Sequence, residues 1–380
     1  MSSPLIGTHN GHFHADEALA VHLLRHLPAY ASSPLLRTRD PALLDTCHTV
    51  VDVGGAYDPA ANRYDHHQRD FSATFPSHRT KLSSAGLVWL HFGKAIIRAR
   101  CEGLESSTTT ITTDDGDNHG STTDDTTDDT TNDTTTLLWK KLYADFIEAI
   151  DANDNGIPNI SPSDLAAASL SKRFHDTALT LPSLISDLNF APPSSTSTPK
   201  PPTQLQAEED ARFQTASALI GTAFDRKLRI VHQAWLPART TLRAAYDART
   251  VPELLVLPAG GVPWKEHLYA LEAGSSPTTT DTTTPGTTDT TTTKRVLYVL
   301  YPELPGGPPE SKWRIQSVPV SADSFESRKP LPEQWRGLRD AELDRVAGVD
   351  GCVFVHASGF IGGNRTWDGV WEMARLALEL

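Results

Sequence analysis

His9-Asn10-Gly11-His12-Phe13-His14-Ala15-Asp16-Glu17 stands between a short apolar run, Leu5-Ile6-Gly7-Thr8, and the segment Ala15–Leu27. In the latter, Ala18, Leu19, Val21, Leu23, Leu24 and Leu27 recur on a broad helical face, so the quoted loop joins a strand to an amphipathic helix. A loop in that position lies at the carboxyl end of a strand, where open α/β sheets place their ligands. Gly11 lets it curl, so that side chains five and seven positions apart can converge. Imidazoles and carboxylates together suit borderline divalent ions. Read alone, the same residues could be a polar loop with Asp16 as a helix N-cap.

Further strands are expected at Leu35–Arg39 and Thr49–Val53, and helices at Ser83–Ala99 and Leu137–Ile150. This alternation predicts an α/β domain with a mostly parallel sheet. Glu208–Trp235 reads as a long helix. Strands at Leu254–Leu257, Val296–Leu300, Trp313–Val318 and Val353–His356 follow, then a final helix Trp367–Leu380. They predict a second, α+β domain, which a length of 380 residues supports. The expected division is a first domain over 1–190, a Pro/Ser-rich linker over 191–206 and a second domain over 207–380.

Residues 103–136 and 273–293 are Thr/Asp low complexity, and 191–204 is rich in Pro, Ser and Thr. Such stretches bury too little apolar surface to offset chain entropy and are expected to be disordered inserts. They also distort the charge. Of a formal net charge of −13, Glu105 and eight aspartates in 103–136 carry −9 and Asp281 and Asp289 two more, so the body is nearly neutral. Charge therefore argues neither for nor against a nucleic-acid partner. Three scattered cysteines, Cys47, Cys101 and Cys352, exclude a thiolate zinc motif and fit a reducing compartment. No apolar run is long enough for a membrane span, and Met1-Ser2-Ser3-Pro4 has no presequence character, so the expected location is intracellular.

Three more elements bear on chemistry. Val50-Val51-Asp52-Val53-Gly54-Gly55 puts a carboxylate at the end of a buried strand, where a cation would offset its desolvation. Tyr64-Asp65-His66-His67-Gln68-Arg69 offers two imidazoles that point different ways and an Arg69 fork suited to phosphate. Ile150-Asp151-Ala152-Asn153-Asp154-Asn155-Gly156 follows a helix, and Asp151 would close the set. It is superficially a calcium loop, but Pro162 stands where the closing glutamate belongs. Each piece alone has a plain structural use as a turn or cap.

The ordered set resembles the DHH phosphoesterase superfamily, and within it the melanocyte-proliferating-gene-product family. The stretches that carry the likeness are His9–Leu19, Val51–Gly55, Tyr64–Arg69, Thr80–Gly86, Trp264–Tyr269, Trp335–Arg339 and His356–Thr366. Ala15 departs from the cysteine common there. The resemblance implies an N-terminal DHH-type domain, a C-terminal substrate domain, and a metal-dependent 3′–5′ RNA exonuclease of nucleus and mitochondrion. No mitochondrial presequence is seen here, so nucleus and cytoplasm are the expected compartments, with the mitochondrion left open by the resemblance alone. It also implies two divalent ions. His9, His14 and Asp52 are expected at one, and Asp16, Asp52, His66 and Asp151 at the other, with Asp52 bridging. Manganese is the favoured ion, with magnesium or zinc as alternatives.

His67 is expected either to hydrogen-bond a phosphate oxygen or to protonate the leaving group. Ser83 and Ser84, at a helix start, would offer N–H groups to substrate phosphate beside Lys81, although plain capping serves equally. In the second domain Gly359–Arg365 reads as a phosphate-cradling loop with Gly362, Gly363 and Arg365, joined by Lys265, His267 and His356. Two other readings share these residues: a phosphohydrolase of a small phosphate ester or pyrophosphate, and a metal-stabilised interaction protein without turnover.

Overall fold

A computed structural model describes residues 3–101, 126–171, 179–190, 200–274, 295–304 and 311–380. The expected inserts fall largely outside these residues. Two parts expected to be disordered are exceptions: 126–136 is helical in a segment whose Leu138 and Leu142 are fully buried, and a helix has already begun at Pro202 within 200–204.

Contacts divide the chain into two units, Met1–Val231 and His232–Leu380. The boundary differs from the expected one. The helix Pro202–Ile230, assigned from sequence to the second domain, belongs to the first unit because Phe213, Ala216, Ile220 and Phe224 are buried there.

The first unit runs β1 (Ile6–Thr8), α1 (Ala15–Arg25), β2 (Leu35–Arg37), α2 (Pro41–Leu44), β3 (Thr49–Val51), β4 (Tyr57–Asp58) and β5 (Arg63–Tyr64). Helices then follow: α3 (Ser84–Arg100), α4 (Thr126–Leu142), α5 (Glu148–Asp154), α6 (Pro162–Ala167), α7 (Leu181–Asp187) and α8 (Pro202–Ile230). The sheet order is β2-β1-β3-β5-β4, parallel except for the β4–β5 hairpin at the edge. Ile6, Val50 and Val51 are buried because helices cover the sheet. Helix α3 is pinned to α4 by a reciprocal pair: Trp89 Nε1 donates to the Trp139 carbonyl (3.1 Å) and Trp139 Nε1 to the Trp89 carbonyl (3.0 Å).

The second unit holds α9 (Leu236–Asp247), β6 (Leu254–Val256), α10 (Lys265–Gly274), β7 (Tyr298–Pro302) and β8 (Trp313–Ser317). It ends with α11 (Asp340–Ala347), β9 (Cys352–Val355), β10 (Ile361–Asn364) and α12 (Trp367–Glu379). Its sheet, β6-β7-β8-β10-β9, is antiparallel apart from β6–β7. Strand β10 corrects the sequence reading, which had Gly362 and Gly363 in a phosphate-binding loop. They pair with Ile315 and Arg314 inside the sheet. A Cβ on Gly363 would lie 2.7 Å from the Arg314 guanidinium and 2.8 Å from the Trp313 carbonyl, so these glycines make room for neighbours. Among the described residues no helix is long and apolar enough to cross a membrane.

Helix α8 also steadies the first loop of the chain. Phe213 meets Phe13 edge-on at 5.7 Å, and the Arg37 guanidinium lies 4.8 Å from the Phe213 ring. Phe213→Ala is expected to cost about 3–5 kcal/mol, read as an earlier unfolding midpoint in denaturant.

Candidate metal centre

The sheet brings three segments to one edge. After β1, His9 is buried, with Nε2 3.2 Å from Glu17 Oε1 and 3.3 Å from Asp52 Oδ2. Glu17 is held in place by the His14 backbone N–H, which donates to both of its oxygens (2.9 and 3.0 Å). After β3, Asp52 adopts a left-handed backbone (φ 60°), uncommon for a residue other than glycine, while its N–H donates to the Tyr64 carbonyl (3.1 Å). That turn swings the carboxylate off the strand and between two imidazoles: Oδ2 faces His9, and Oδ1 lies 3.1 Å from His66 Nε2. Strain of this sort gathers at functional sites.

After β5, Asp65 governs the next two residues. It accepts from Gly55 N–H (2.6 Å) and His67 N–H (3.1 Å), and its Oδ1 lies 2.7 Å from His67 Nδ1. His66 is thus turned inward and buried, whereas the His67 side chain is 61% exposed.

The fourth segment differs from expectation. Helix α5 runs one turn past Ile150, so Asp151 lies inside the helix and not at its end. Its carboxylate accepts from Ser83 N–H (2.9 Å), Ser83 hydroxyl (2.7 Å), Gly86 N–H (3.1 Å) and Tyr143 hydroxyl (3.0 Å). The carboxylate that reaches His66 is that of Asp154, at 3.1 Å from Nε2. Asp151 therefore stands behind the centre, locking the start of α3 to α5. A π-helical turn, Tyr143–Ile147, precedes α5 and sets Tyr143 against Asp151; such turns recur at functional sites.

Ser83 and Ser84 do present N–H groups to anions, as expected of a helix start, but the anions are the protein's own. Ser84 donates to Asp16 Oδ2 through N–H (3.3 Å) and hydroxyl (2.6 Å). Lys81 lines the mouth, its Nζ 5.4 Å from the Phe71 ring. Exposed His14, with Lys81, His66, His67, Asn153, Asp154 and Asn155, encloses a cavity of about 380 Å³. Arg69 is exposed nearby in sequence.

In the second unit His267, His356 and Arg365 each have a local partner. His267 is buried, its Nε2 2.8 Å from the Trp235 carbonyl. Lys265 lines a hollow with Trp235 and Trp264. The exposed His356 Nδ1 accepts from the Ser358 N–H (3.1 Å), and Arg365 lies 3.3 Å from Asp340. Trp264 and Trp335 are core residues.

The electrostatics of the first unit are those of a cation site. Among the described residues no Lys or Arg pairs with Asp16, Asp52 or Asp154, whose basic partners are imidazoles. Burial opposes protonation of His9, yet its hydrogen bonds to Asp52 and Glu17 prevail and raise it to about 10. His66 likewise rises to about 9, through Asp154 and Asp52, against burial. Burial pushes Asp52 up, but His66 and His9 together hold it well below the usual carboxylate range. Asp16 goes the other way, raised by burial and by the charge of Asp52. Asp151 is raised to about 7 by burial, despite its four donors.

Donor atoms within 4.8 Å of one another form three overlapping groups: His9, His14, Glu17 and Asp52; Asp52, His66 and His67; His14, Asp16 and Asp154. Buried Asp16 Oδ1 and His66 Nδ1 have no hydrogen-bond partner among the described residues. Orphaned donors in a dry, acidic cluster fit divalent metal. Sequence reasoning missed Glu17, Asp65 and Asp154. The three-residue step from His14 to Glu17 marks the first turn of a helix, and Asp154 lies one turn beyond Asp151.

The family model MYG1_exonuc, described as an uncharacterised protein family (UPF0160), matches residues 5–378. The MYG1 exonucleases of Mus musculus and Homo sapiens are each 40% identical over 390 residues, covering all of this chain and 86% of theirs. A MYG1 protein of Schizosaccharomyces pombe is 38% identical over 376 residues, covering 98% of this chain and 97% of its own.

Removing the Asp151 carboxylate would strand several buried donors. Asp151→Ala is expected to lower stability by at least about 2 kcal/mol, seen as a fall in Tm of the metal-free protein. Asp154→Ala, which loses the single contact to His66, should stay closer to wild type. An unchanged Tm for Asp151→Ala would place its carboxylate elsewhere.

Proposed function

Because the chain belongs to the MYG1 exonuclease family, we propose that it is a metal-dependent hydrolase that removes nucleotides from the 3′ end of RNA, using two divalent ions. The observation that carries this reading is Asp52, whose two oxygens face two different imidazoles, His9 and His66. A carboxylate so placed is suited to bridge. His9, His14 and Asp52 would hold one ion, and Asp16, Asp52, His66 and Asp154 the other. Asp154 takes the place that sequence reasoning gave to Asp151. Manganese suits this mixture of imidazole and carboxylate. When bound, paired ions supply an acidified water and take up charge on the phosphoryl oxygens.

The chain's own residues do the remainder. Asp65 hydrogen-bonds His67 and raises its pKa, favouring the protonated form of the exposed imidazole. It faces the cavity and can pass that proton to the leaving 3′ oxygen. Lys81, at the same cavity, offers a positive charge to the scissile phosphate. Ser84 fixes Asp16, and Ser83 and Asp151 fix the start of α3, so that the ligands do not reorganise when substrate arrives. A cavity of about 380 Å³ admits a terminal nucleotide sooner than a duplex.

Labelled single-stranded RNA blocked at either end, incubated with manganese, tests the assignment. Wild type should shorten RNA carrying a free 3′ hydroxyl, releasing mononucleotides, and lose activity with a chelator. Asp52→Asn should reduce turnover by at least about 10³-fold, the loss of a central electrostatic contribution, while far-UV circular dichroism stays unchanged, since Asn tolerates left-handed backbone. Hydrolysis of pyrophosphate with intact RNA would overturn the substrate assignment.

His67→Ala should lower kcat by about 10²-fold or more and leave manganese affinity within about threefold of wild type, by isothermal titration. A large loss of metal affinity would make His67 a ligand instead.

A further inference from the structure

A second cluster of metal-binding side chains lies away from the centre just described. His22 lies on the last turn of α1 and His26, four residues on, caps its C-terminus with helical backbone, so the two share one face. Across from them, α8 contributes Asp225. His22 Nε2 lies 3.2 Å, and His26 Nε2 2.6 Å, from the same atom, Asp225 Oδ1. The two rings stand edge to face, with centroids 4.6 Å apart. We propose that His22, His26 and Asp225 form a separate zinc site that clamps α1 to α8.

A pair of histidines at i and i+4 on a helix is a recognised zinc-chelating spacing, and a carboxylate is a normal third ligand. The dimensions suit the ion. Nitrogen and oxygen donors at roughly 2.0–2.1 Å from a tetrahedral zinc lie about 3.3 Å from one another. The His22–Asp225 separation already meets that value, and His26 must withdraw by well under 1 Å. The side chains are 21%, 9% and 28% exposed, so a fourth position opens to water.

The site is also given room. On α8, Gly221 sits one turn before Asp225, and a Cβ there would fall 2.2 Å from His22 Nδ1. The helix is bare where the imidazole must lie. Around the cluster α1 and α8 are already packed, with Ser217 Oγ donating to the Ala18 carbonyl at 2.8 Å. A zinc ion there would strengthen an existing contact. None of the three residues belongs to the catalytic centre, so occupancy can be altered without touching the ligands of the reaction.

The test uses the full chain with zinc as the probe. Metal-stripped wild type and a His22→Gln/His26→Gln double variant are equilibrated with zinc by dialysis, and bound metal is counted by mass spectrometry. Wild type should hold one zinc more per chain. Cobalt should give wild type a visible d–d band that the double variant lacks in part. Zinc should raise Tm further in wild type than in the variant, while the manganese-supported RNA activity of the two agrees within about twofold. Should the double variant fail to fold, Asp225→Asn, of the same shape, carries the same comparison. Equal zinc content and equal Tm shifts in wild type and variant would overturn the proposal and leave the cluster as an ion pair.

Discussion

Asp16 and Asp52, both buried, share one site with Asp154, which lines the cavity beside them. Like charges about 4 Å apart repel by roughly 4 kcal/mol at a partly screened protein site, several times the net worth of a hydrogen bond. The structure answers with imidazoles in place of lysines or arginines. His9 and His66 each lie between two carboxylates, and protons on their rings offset the crowding. A group of donors that stabilises protons so strongly is chemically suited to exchange them for a divalent metal. Much of the first unit can be understood as a frame that keeps these side chains together.

The frame works by satisfying one oxygen and leaving another. Asp16 gives Oδ2 to Ser84 and keeps Oδ1 without a partner. Asp52 has its backbone forced into the left-handed region so that both oxygens point inward. Asp151, by contrast, spends its carboxylate wholly on Ser83, Gly86 and Tyr143. Two aspartates three residues apart on α5 thus divide the work, one tying helices together and the other facing the cavity.

Periodicity in the sequence was enough to predict β1, α1, β3 and the strands β6 to β9, because each buries a face with a regular step. Helix α5 runs longer than its sequence suggests: the polar run Asp151–Asn155 looks like a turn, and the contacts of Asp151 with Ser83 and Tyr143 have no local signal. Strand β10 was hidden because Gly362 and Gly363 signal a loop, while their true use is to admit Arg314 and Phe354 from neighbouring strands. His9, His14, Asp16, Asp52 and His66, whose donor atoms the structure gathers, were legible as an ordered set that resembles a known family. Asp154 was not, since which of two carboxylates on one helix faces inward depends on where that helix stops. The α8 boundary was equally illegible: a Pro-rich stretch suggests a linker, and nothing local shows that Phe213 is buried against Phe13.

The clasp of α8 on the opening loop has a consequence for how the molecule comes into being. Glu209 accepts from the Gly11 N–H at 2.7 Å and lies 2.8 Å from Arg37, whose guanidinium also reaches the Gly11 carbonyl. Every side chain in the centre has been synthesised by residue 154, yet the piece that fastens the loop carrying His9 and His14 is made some fifty residues later. A nascent chain still short of α8 therefore holds all these side chains but not the clasp that fixes their loop, and the finished geometry waits for α8.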